Sequence, residues 1–188
     1  TEEQEVIIPA MKEMEEKGIL CYGPYAADGF MGSGKSSVGK KLARAMELSF
    51  VDTDDLIEEQ AHMKITDIFE EYGEEYFRDL ETLTLRQLLD AQNRLVIAVG
   101  GGMPMRSENR NYLKQLGTVI YLKAEVDTLV ERLQGDTSRP MLKGRDLKTK
   151  IRDLMQARGS VYQETADIDI VTDQKGCRRI VEEIKRHV

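Results

Sequence analysis

Several features that mark other classes of protein are scarce in this chain of 188 residues. Cysteine occurs only as Cys21 and Cys177, which argues against a disulfide framework and favours a reducing compartment. No stretch approaches the roughly 18 consecutive apolar residues of a membrane span. The sequence starts with acidic rather than basic residues, so we expect no signal peptide and a cytoplasmic protein without a membrane partner.

Positive charge is also in deficit. Lys and Arg number 27 against 34 Asp and Glu, which gives a formal net charge of −7. This balance argues against nucleic acid or an anionic membrane as the main partner. The composition, 40% hydrophobic and 32% charged, is that of an ordinary globular protein of one domain, and we expect a monomer.

The most informative segment present is 29–36, which reads Gly-Phe-Met-Gly-Ser-Gly-Lys-Ser, a complete G-x-x-x-x-G-K-S phosphate-binding loop. Its glycines let successive N–H groups surround a phosphate, and the next helix directs its positive end at the phosphates. Lys35 would reach the β- and γ-phosphates and Ser36 would ligate Mg²⁺. The alternative is a glycine-rich turn with an incidental lysine. We expect ATP and Mg²⁺ as cofactors, with nucleotide contacts from Gly32, Ser33, Gly34, Lys35, Ser36 and Ser37.

Short apolar runs alternate with helical patterns along the chain, which predicts an α/β fold with a parallel sheet between helices. Beyond the loop, strands are predicted at 48–51, 95–99, 118–122 and 168–171. Helices are predicted at about 37–47, 55–63, 66–72, 74–91, 107–115, 126–133, 147–158 and 177–186. The polar residues 135–146 are expected to form a mobile loop.

Two aspartates follow the predicted strand 48–51. Asp52 and Asp54 are two residues apart, so on an extended segment their side chains would project to one side. One carboxylate would then hold Mg²⁺ through water while the other faces an acceptor hydroxyl. The alternative is a turn that caps the next helix through Asp54 or Asp55.

A second constellation lies on a predicted helix. Arg78 and Glu81 are three residues apart and share a face, so Glu81 would orient the guanidinium while Arg78 grips a substrate carboxylate. A surface ion pair is the alternative.

The remaining candidate residues lie in loops or at a helix end. Gly100, Gly101 and Gly102 follow an apolar strand and leave no side chains, so a small molecule can lie against their backbone, although a flexible turn is the alternative. Arg139 in the polar loop would swing over the phosphates, and Arg158 would offer a second cation to an anionic substrate. Taken singly, each arginine also fits a solvated surface charge.

Taken together, these motifs resemble the shikimate kinase family over about residues 29–188. The resemblance rests on the phosphate loop, Asp-Thr-Asp, Phe-Arg-x-x-Glu, Gly-Gly-Gly, Arg-Pro and Arg-x-x-x-Tyr in that order. It implies a three-layer P-loop fold of the nucleoside monophosphate kinase type, with a five-stranded parallel sheet and the phosphate-loop strand in the middle. It also implies transfer of the γ-phosphoryl group of ATP to the 3-hydroxyl of shikimate.

The same resemblance implies roles for individual residues. At the nucleotide end, Lys35 contacts the phosphates, Ser36 binds Mg²⁺ directly and Asp52 supports the metal. Arg139 is the lid arginine and Arg132 lies against adenine. At the substrate end, Asp54 holds the hydroxyls as candidate base, and the carboxylate and ring of shikimate are fixed by Arg78, Gly100, Gly101, Gly102 and Arg158.

The segment before the phosphate loop departs from this family. Residues 23–28 contain Pro24 and Asp28, which do not suit a central strand, and they separate the candidate strand 18–22 from the loop. Parts of 7–10 and 23–30 resemble a fragment of 4-hydroxythreonine-4-phosphate dehydrogenase. We therefore predict an atypical, chimeric segment 1–28, followed by a kinase domain 29–188 whose lid is about 135–146.

Two other functions remain open. One is another small-metabolite kinase, such as a gluconate or nucleoside monophosphate kinase, against which the paired Arg78 and Arg158 and the triple glycine argue. The other is a non-catalytic nucleotide-binding protein whose altered first strand leaves the site unformed.

Overall fold

The computed structural model describes residues 18–22, 35–91, 93–134 and 147–188. Its five strands are β1 (Gly18–Tyr22), β2 (Ser49–Asp52), β3 (Leu95–Ala98), β4 (Gly117–Lys123) and β5 (Ile168–Val171). They form one sheet in the order β2-β3-β1-β4-β5, with all neighbours parallel. The five-stranded parallel sheet expected from the sequence is therefore present.

The middle of the sheet is occupied by β1, which precedes the phosphate-loop motif in the sequence. Leu20 pairs with Ile97 of β3 on one side and with Val119 of β4 on the other. The candidate strand 18–22 thus supplies the central strand. Residues 23–34, which include the departures at Pro24 and Asp28 and most of the phosphate loop, lie outside the described residues.

Helices cover both faces of the sheet. They are α1 (Lys35–Ala45), α2 (Thr53–Ala61), α3 (Ile65–Ala91), α4 (Ser107–Leu116), α5 (Val126–Gln134), α6 (Leu147–Thr165) and α7 (Cys177–Lys185), with a 3₁₀ turn at Met103–Met105. None of the helices described here is long and apolar enough to cross a membrane.

Strand alternation divides the core into two layers. Val96 and Ile120 pack with apolar residues of α1 and α7 on one face, including Leu42 and Ile184. Ile97 and Val119 belong to the layer on the other face, built with α2, α3, α4 and α6. Strands β3 and β4 are buried on both faces, as a parallel sheet requires, which explains their continuous apolar sequence.

One helix is longer than the sequence predicts, and another contains the break that the sequence predicts. The helix predicted for 147–158 continues to Thr165, because Tyr162 and Thr165 are buried against the core and hold the extra turns. The two helices predicted on either side of Gly73 are confirmed as two pieces of α3, since Gly73 has φ 82° and ψ 174° and interrupts the helical backbone. A positive φ of this size favours glycine.

Candidate active site

The site lies at the carboxyl ends of β2 and β3, where open parallel sheets place their ligands. Lys35 is the first described residue of α1, and its ammonium is buried and donates a 3.0 Å hydrogen bond to the carbonyl of Val99, just after β3. Burial lowers the pKa of Lys35, while the nearby carboxylates of Asp54 and Asp52 act in the opposite direction. Lys35 thus connects the start of α1 with the segment that follows β3.

Ser36 and Asp52 meet beside this lysine. The Ser36 hydroxyl donates a 2.5 Å hydrogen bond to Asp52 Oδ2, and Asp52 Oδ1 accepts one of 3.0 Å from the backbone N–H of Asp54. Asp52 is thus the N-cap of α2. The expectation that Asp52 and Asp54 share one extended segment is wrong, because β2 ends at Asp52 and the helix starts at Thr53.

The Ser36–Asp52 pair suits Mg²⁺ by its chemistry. Mg²⁺ prefers oxygen ligands, keeps several waters and in nucleotide sites takes one or two protein oxygens besides the phosphates. The hydroxyl of Ser36 at the start of α1 and the carboxylate of Asp52 would be such a donor set. No group of three or more His, Cys, Asp and Glu side chains suited to a metal occurs in the described part of the chain, so an all-protein metal cage is not found there.

Asp54 lies on the first turn of α2 and is 9% exposed. Its Oδ1 has no hydrogen-bond partner although it is buried. Burial raises the pKa of this carboxyl to about 6, and the positive charge of Lys35 acts in the opposite direction. A buried carboxylate oxygen that the protein does not satisfy is suited to accept a hydrogen bond from a ligand hydroxyl.

Arg78 and Glu81 form a buried ion pair rather than a surface one. Arg78 Nη1 donates to Glu81 Oε2 at 2.9 Å, and Nη2 donates to the exposed Glu74 at 3.0 Å. Burial raises the pKa of Glu81 to about 7, against the opposite effect of Arg78. Glu81 therefore fixes the guanidinium as predicted, and its own Oε1 has no hydrogen-bond partner.

The three glycines are buried and hydrogen-bonded, so the flexible-turn alternative does not describe them. A Cβ on Gly100 would lie 3.1 Å from both Asp54 Oδ1 and Glu81 Oε1, and one on Gly102 would overlap the Arg78 guanidinium. The backbone N–H of Met103 donates to Gly100 O at 3.1 Å. A side chain at Gly100 would therefore force Asp54 or Glu81 to give by a few tenths of an ångström, and one at Gly102 would force the Arg78 guanidinium to move.

Arg158 completes this end of the site from α6. Its Nη1 is buried and has no hydrogen-bond partner, and its positive charge acts on Glu81. Three buried polar atoms without partners are thus found in the described residues: Asp54 Oδ1, Glu81 Oε1 and Arg158 Nη1. Asp54 Oδ1 and Glu81 Oε1 lie beside Gly100, and the positive charge of Arg158 acts to lower the pKa of Glu81.

Other predicted site residues lie apart or outside the described ranges. Arg132 donates to the hydroxyl and carbonyl oxygens of Thr172, at 3.1 and 2.9 Å, next to the end of β5. Ser37 is exposed on α1. Gly32, Ser33, Gly34, Arg139 and the predicted lid 135–146 are not among the described residues.

Sequence reasoning quoted Thr53 and Tyr162 within the motifs Asp-Thr-Asp and Arg-x-x-x-Tyr but gave neither residue a role in the site. The hydroxyl of Thr53 accepts from Gly100 N–H at 3.0 Å and donates to Ala98 O at 3.2 Å. The hydroxyl of Tyr162 donates to Gly101 O at 2.8 Å. The sequence could not show these roles, because the hydrogen-bond partners of Thr53 and Tyr162 are 45 to 61 residues away.

A parallel sheet with a P-loop sequence motif after its central strand, and a corner of buried charged groups beside it, is the arrangement of a P-loop kinase of small molecules. The sequence model of the family described as shikimate kinase matches residues 31–188. The chain therefore belongs to the shikimate kinase family, which confirms the predicted family.

Individual relatives agree with this assignment. The chain is 46% identical to a shikimate kinase of Persephonella marina over 156 residues, which is 83% of this chain and 93% of that protein. It is 40% identical to one of Thioalkalivibrio sulfidiphilus over 92% of this chain and 87% of that protein. The latter match covers more than residues 29–188 alone, so it includes part of the segment before the phosphate loop.

Solved structures support the fold. Shikimate kinase from Acinetobacter baumannii in complex with shikimate has a TM-score of 0.80 and 35% identity, and the match covers 94% of this chain and 95% of that one. Shikimate kinase from Aquifex aeolicus has a TM-score of 0.73 and 34% identity, with 89% and 94% covered. The predicted fold class, an α/β P-loop fold of the nucleoside monophosphate kinase type, is confirmed.

Proposed function

We propose that this protein transfers the γ-phosphoryl group of ATP to the 3-hydroxyl of shikimate, which gives shikimate 3-phosphate and ADP. The observation that carries the proposal is the corner where Asp54, Glu81 and Arg158 each keep one buried polar atom without a partner beside the glycine backbone. Buried polar groups are normally satisfied, so this corner is built for a ligand with hydroxyls and a carboxylate.

The substrate end binds shikimate through charge and hydroxyl contacts. Arg158 offers its unpaired Nη1, and Arg78 has donors left after its two ion pairs, so together they hold the carboxylate. The backbone of Gly100, Gly101 and Gly102 lies against the ring. Asp54 accepts a hydrogen bond from the 3-hydroxyl and turns that oxygen towards the phosphates.

In the transfer step the 3-oxygen bonds to the γ-phosphorus, the bond from phosphorus to the bridging oxygen of ADP breaks, and the hydroxyl proton passes to the Asp54 carboxylate. The Lys35 ammonium has three donors, so it keeps its bond to the Val99 carbonyl and directs another donor at the phosphate oxygens. Such transfers depend mainly on positioning and on compensating negative charge. Neither a cysteine nor a histidine nucleophile is needed.

The nucleotide end holds ATP through residues 32–37 and, by our proposal, Mg²⁺ through Ser36 directly and Asp52 through water. When bound there, Mg²⁺ neutralises phosphate charge in the transfer. Arg132, anchored on Thr172, lies against adenine, and Arg139 is the lid arginine that compensates charge on the transferred group. A cytoplasmic monomer is part of the same proposal.

The division of the chain also stays a proposal: a kinase domain 29–188 with a lid at about 135–146, after an atypical segment 1–28 of chimeric origin. Removal of residues 1–28 deletes β1 from the middle of the sheet, so we expect that truncation not to fold, while removal of 1–17 is the matched control. Sequencing of the source locus tests the chimeric origin, and an in-frame apolar strand joined to Gly29 would contradict it.

The activity is tested by coupled ADP release in the presence and absence of shikimate. We expect shikimate-dependent turnover in the wild-type protein and its loss in Lys35→Met and Asp54→Asn. Lys41→Met and Asp90→Asn are the matched controls, because both residues are exposed and lie on helices that also carry residues of the site. ADP release that ignores shikimate, or equal rates in all five proteins, would reject the proposal.

A further inference from the structure

All five carbonyl oxygens from Ala98 to Gly102, together with the N–H of Gly100, form hydrogen bonds at the end of β3. Thr53 bonds both Ala98 O and Gly100 N–H, and Lys35 bonds Val99 O between them. The carbonyls of Gly100 and Gly102 accept from Met103 and Met105 of the 3₁₀ turn, and that of Gly101 accepts from Tyr162. A segment with three glycines in a row is thus fixed along its length.

Such fixation needs an explanation, because glycine has more conformational freedom to lose than any other residue. Two of the anchors are side-chain hydroxyls from outside the segment, Thr53 on α2 and Tyr162 on α6, and both residues are completely buried. Neither residue borders solvent, and each hydroxyl is directed at the glycine backbone rather than at its own helix.

The hydroxyls of Thr53 and Tyr162 connect the glycine backbone to the two helices that carry Asp54 and Arg158. Thr53 lies between Asp52 and Asp54, so its hydroxyl sets the distance from the glycine backbone to the Asp54 carboxylate. Tyr162 follows Arg158 by about one helical turn, so its hydroxyl sets the distance to the Arg158 guanidinium.

We propose that Thr53 and Tyr162 are positioning residues, whose hydroxyls fix the Gly100–Gly102 backbone against Asp54 and Arg158 so that shikimate meets a preformed corner. The inference rests on the proposed function, since the corner is the shikimate end of that site. Neither hydroxyl touches the reacting atoms. Loss of either hydroxyl therefore weakens the binding of shikimate, while the binding of ATP stays nearly unchanged.

The test compares Thr53→Val, which keeps the shape and removes the hydroxyl, with Thr53→Ser, which restores it, and with Tyr162→Phe. Thr84→Val is the matched control, because the buried Thr84 hydroxyl donates to Leu80 O within its own helix. We expect the KM for shikimate to rise roughly tenfold in Thr53→Val and Tyr162→Phe, since an unpaired buried group and a displaced loop cost this much in binding. The KM for ATP should change less than about threefold, and Thr53→Ser should recover the wild-type KM for shikimate within about threefold.

Amide hydrogen exchange gives a reading that needs no activity. The Gly100 amide should exchange faster in Thr53→Val than in wild type, and at the wild-type rate in Thr84→Val.

If wild-type protein turns over shikimate but Thr53→Val and Tyr162→Phe keep its KM, this inference is overturned and the proposed function stands. If wild type shows no shikimate-dependent turnover, the proposed function falls, and unchanged exchange in Thr53→Val would overturn the positioning as well. Should Thr53→Val not fold, Tyr162→Phe carries the same comparison.

Discussion

Glu81 accepts a 2.9 Å hydrogen bond from Arg78 through one carboxylate oxygen, while its other oxygen is buried without a partner. The side chain of Glu81 is fully buried and that of Arg78 is 9% exposed, whereas Glu74, the second partner of Arg78, is 65% exposed. One arginine is thus held by two carboxylates in very different surroundings. The buried carboxylate of Glu81 lies beside Gly100 in the site, whereas the carboxylate of Glu74 is exposed at the surface.

This contrast gives the first prediction. Glu81→Ala leaves the Arg78 guanidinium buried without its main counter-charge, so we expect it to lower the free energy of unfolding by about 3 kcal/mol. Glu74→Ala removes an exposed partner of the same arginine and should cost less than about 1 kcal/mol. Denaturant unfolding at a pH above 8 measures both, and Glu81→Gln separates lost charge from lost volume. Equal losses in the two alanine variants would contradict the buried pair.

The second prediction concerns pH. Burial raises the pKa of Asp54 to about 6 from an ordinary 3.8, so between these values the native protein binds more protons than the unfolded chain. The contribution of Asp54 to stability is therefore greatest at low pH and is lost as the pH rises through about 6. Asp54→Asn cannot ionise, so it should be more stable than wild type at pH 7.5, by on the order of 2 kcal/mol, and equal to it near pH 4.

Unfolding curves at several pH values measure this difference between Asp54→Asn and wild type. Asp90→Asn, at the exposed end of α3, is the control and should parallel wild type. An Asp54→Asn curve that also parallels wild type would show that burial does not raise the pKa of Asp54. Asp54→Asn should also lack turnover at every pH, because the carboxylate that destabilises the fold at neutral pH is the one that the reaction needs.

Much of the fold was predictable because it follows from local periodicity. The strand 95–99 is an apolar run of strand length. Helical spacing located all seven helices of the described residues within a few positions, apart from the long end of α6. The face shared by Arg78 and Glu81 also followed from spacing. Its burial did not, because that depends on how α3 packs against residues that follow β3.

The rest depended on partners distant in the sequence. The hydroxyl of Thr53 pairs with backbone groups 45 and 47 residues away, and no spacing rule shows such a pairing. The capping by Asp52 was missed because a strand and a helix meet there without a loop, so the aspartates are not both extended. The sequence could not show that Gly18–Tyr22 is the central strand, because the segment is short and residues 23–28 after it depart from the family pattern. Its pairing with β3 and β4 shows this position.

The third prediction separates the two roles of Asp52. Asp52 caps α2 and accepts from Ser36, where we propose that Mg²⁺ binds. Asn is also a good N-cap, so Asp52→Asn should keep the free energy of unfolding within about 0.5 kcal/mol, while Asp52→Ala should cost about 1 kcal/mol. Both remove the negative charge, so both should raise the Mg²⁺ concentration needed for half-maximal turnover. If Asp52→Asn needs no more Mg²⁺ than wild type, the carboxylate charge does not support the metal.

The last prediction uses two glycines near the ends of one substrate corner. A Cβ on Gly102 would overlap the Arg78 guanidinium, whereas a Cβ on Gly159 in α6 meets no atom within 4 Å. Gly102→Ala should therefore displace Arg78, raise the KM for shikimate at least about tenfold and lower stability by roughly 1–3 kcal/mol. Gly159→Ala adds a better helix former beside Arg158 and should stabilise the protein by up to about 1 kcal/mol with its KM unchanged. Steady-state kinetics and thermal unfolding of both variants measure these effects. A Gly102→Ala protein with the wild-type KM for shikimate would mean that Arg78 does not hold the substrate from its position against Gly102.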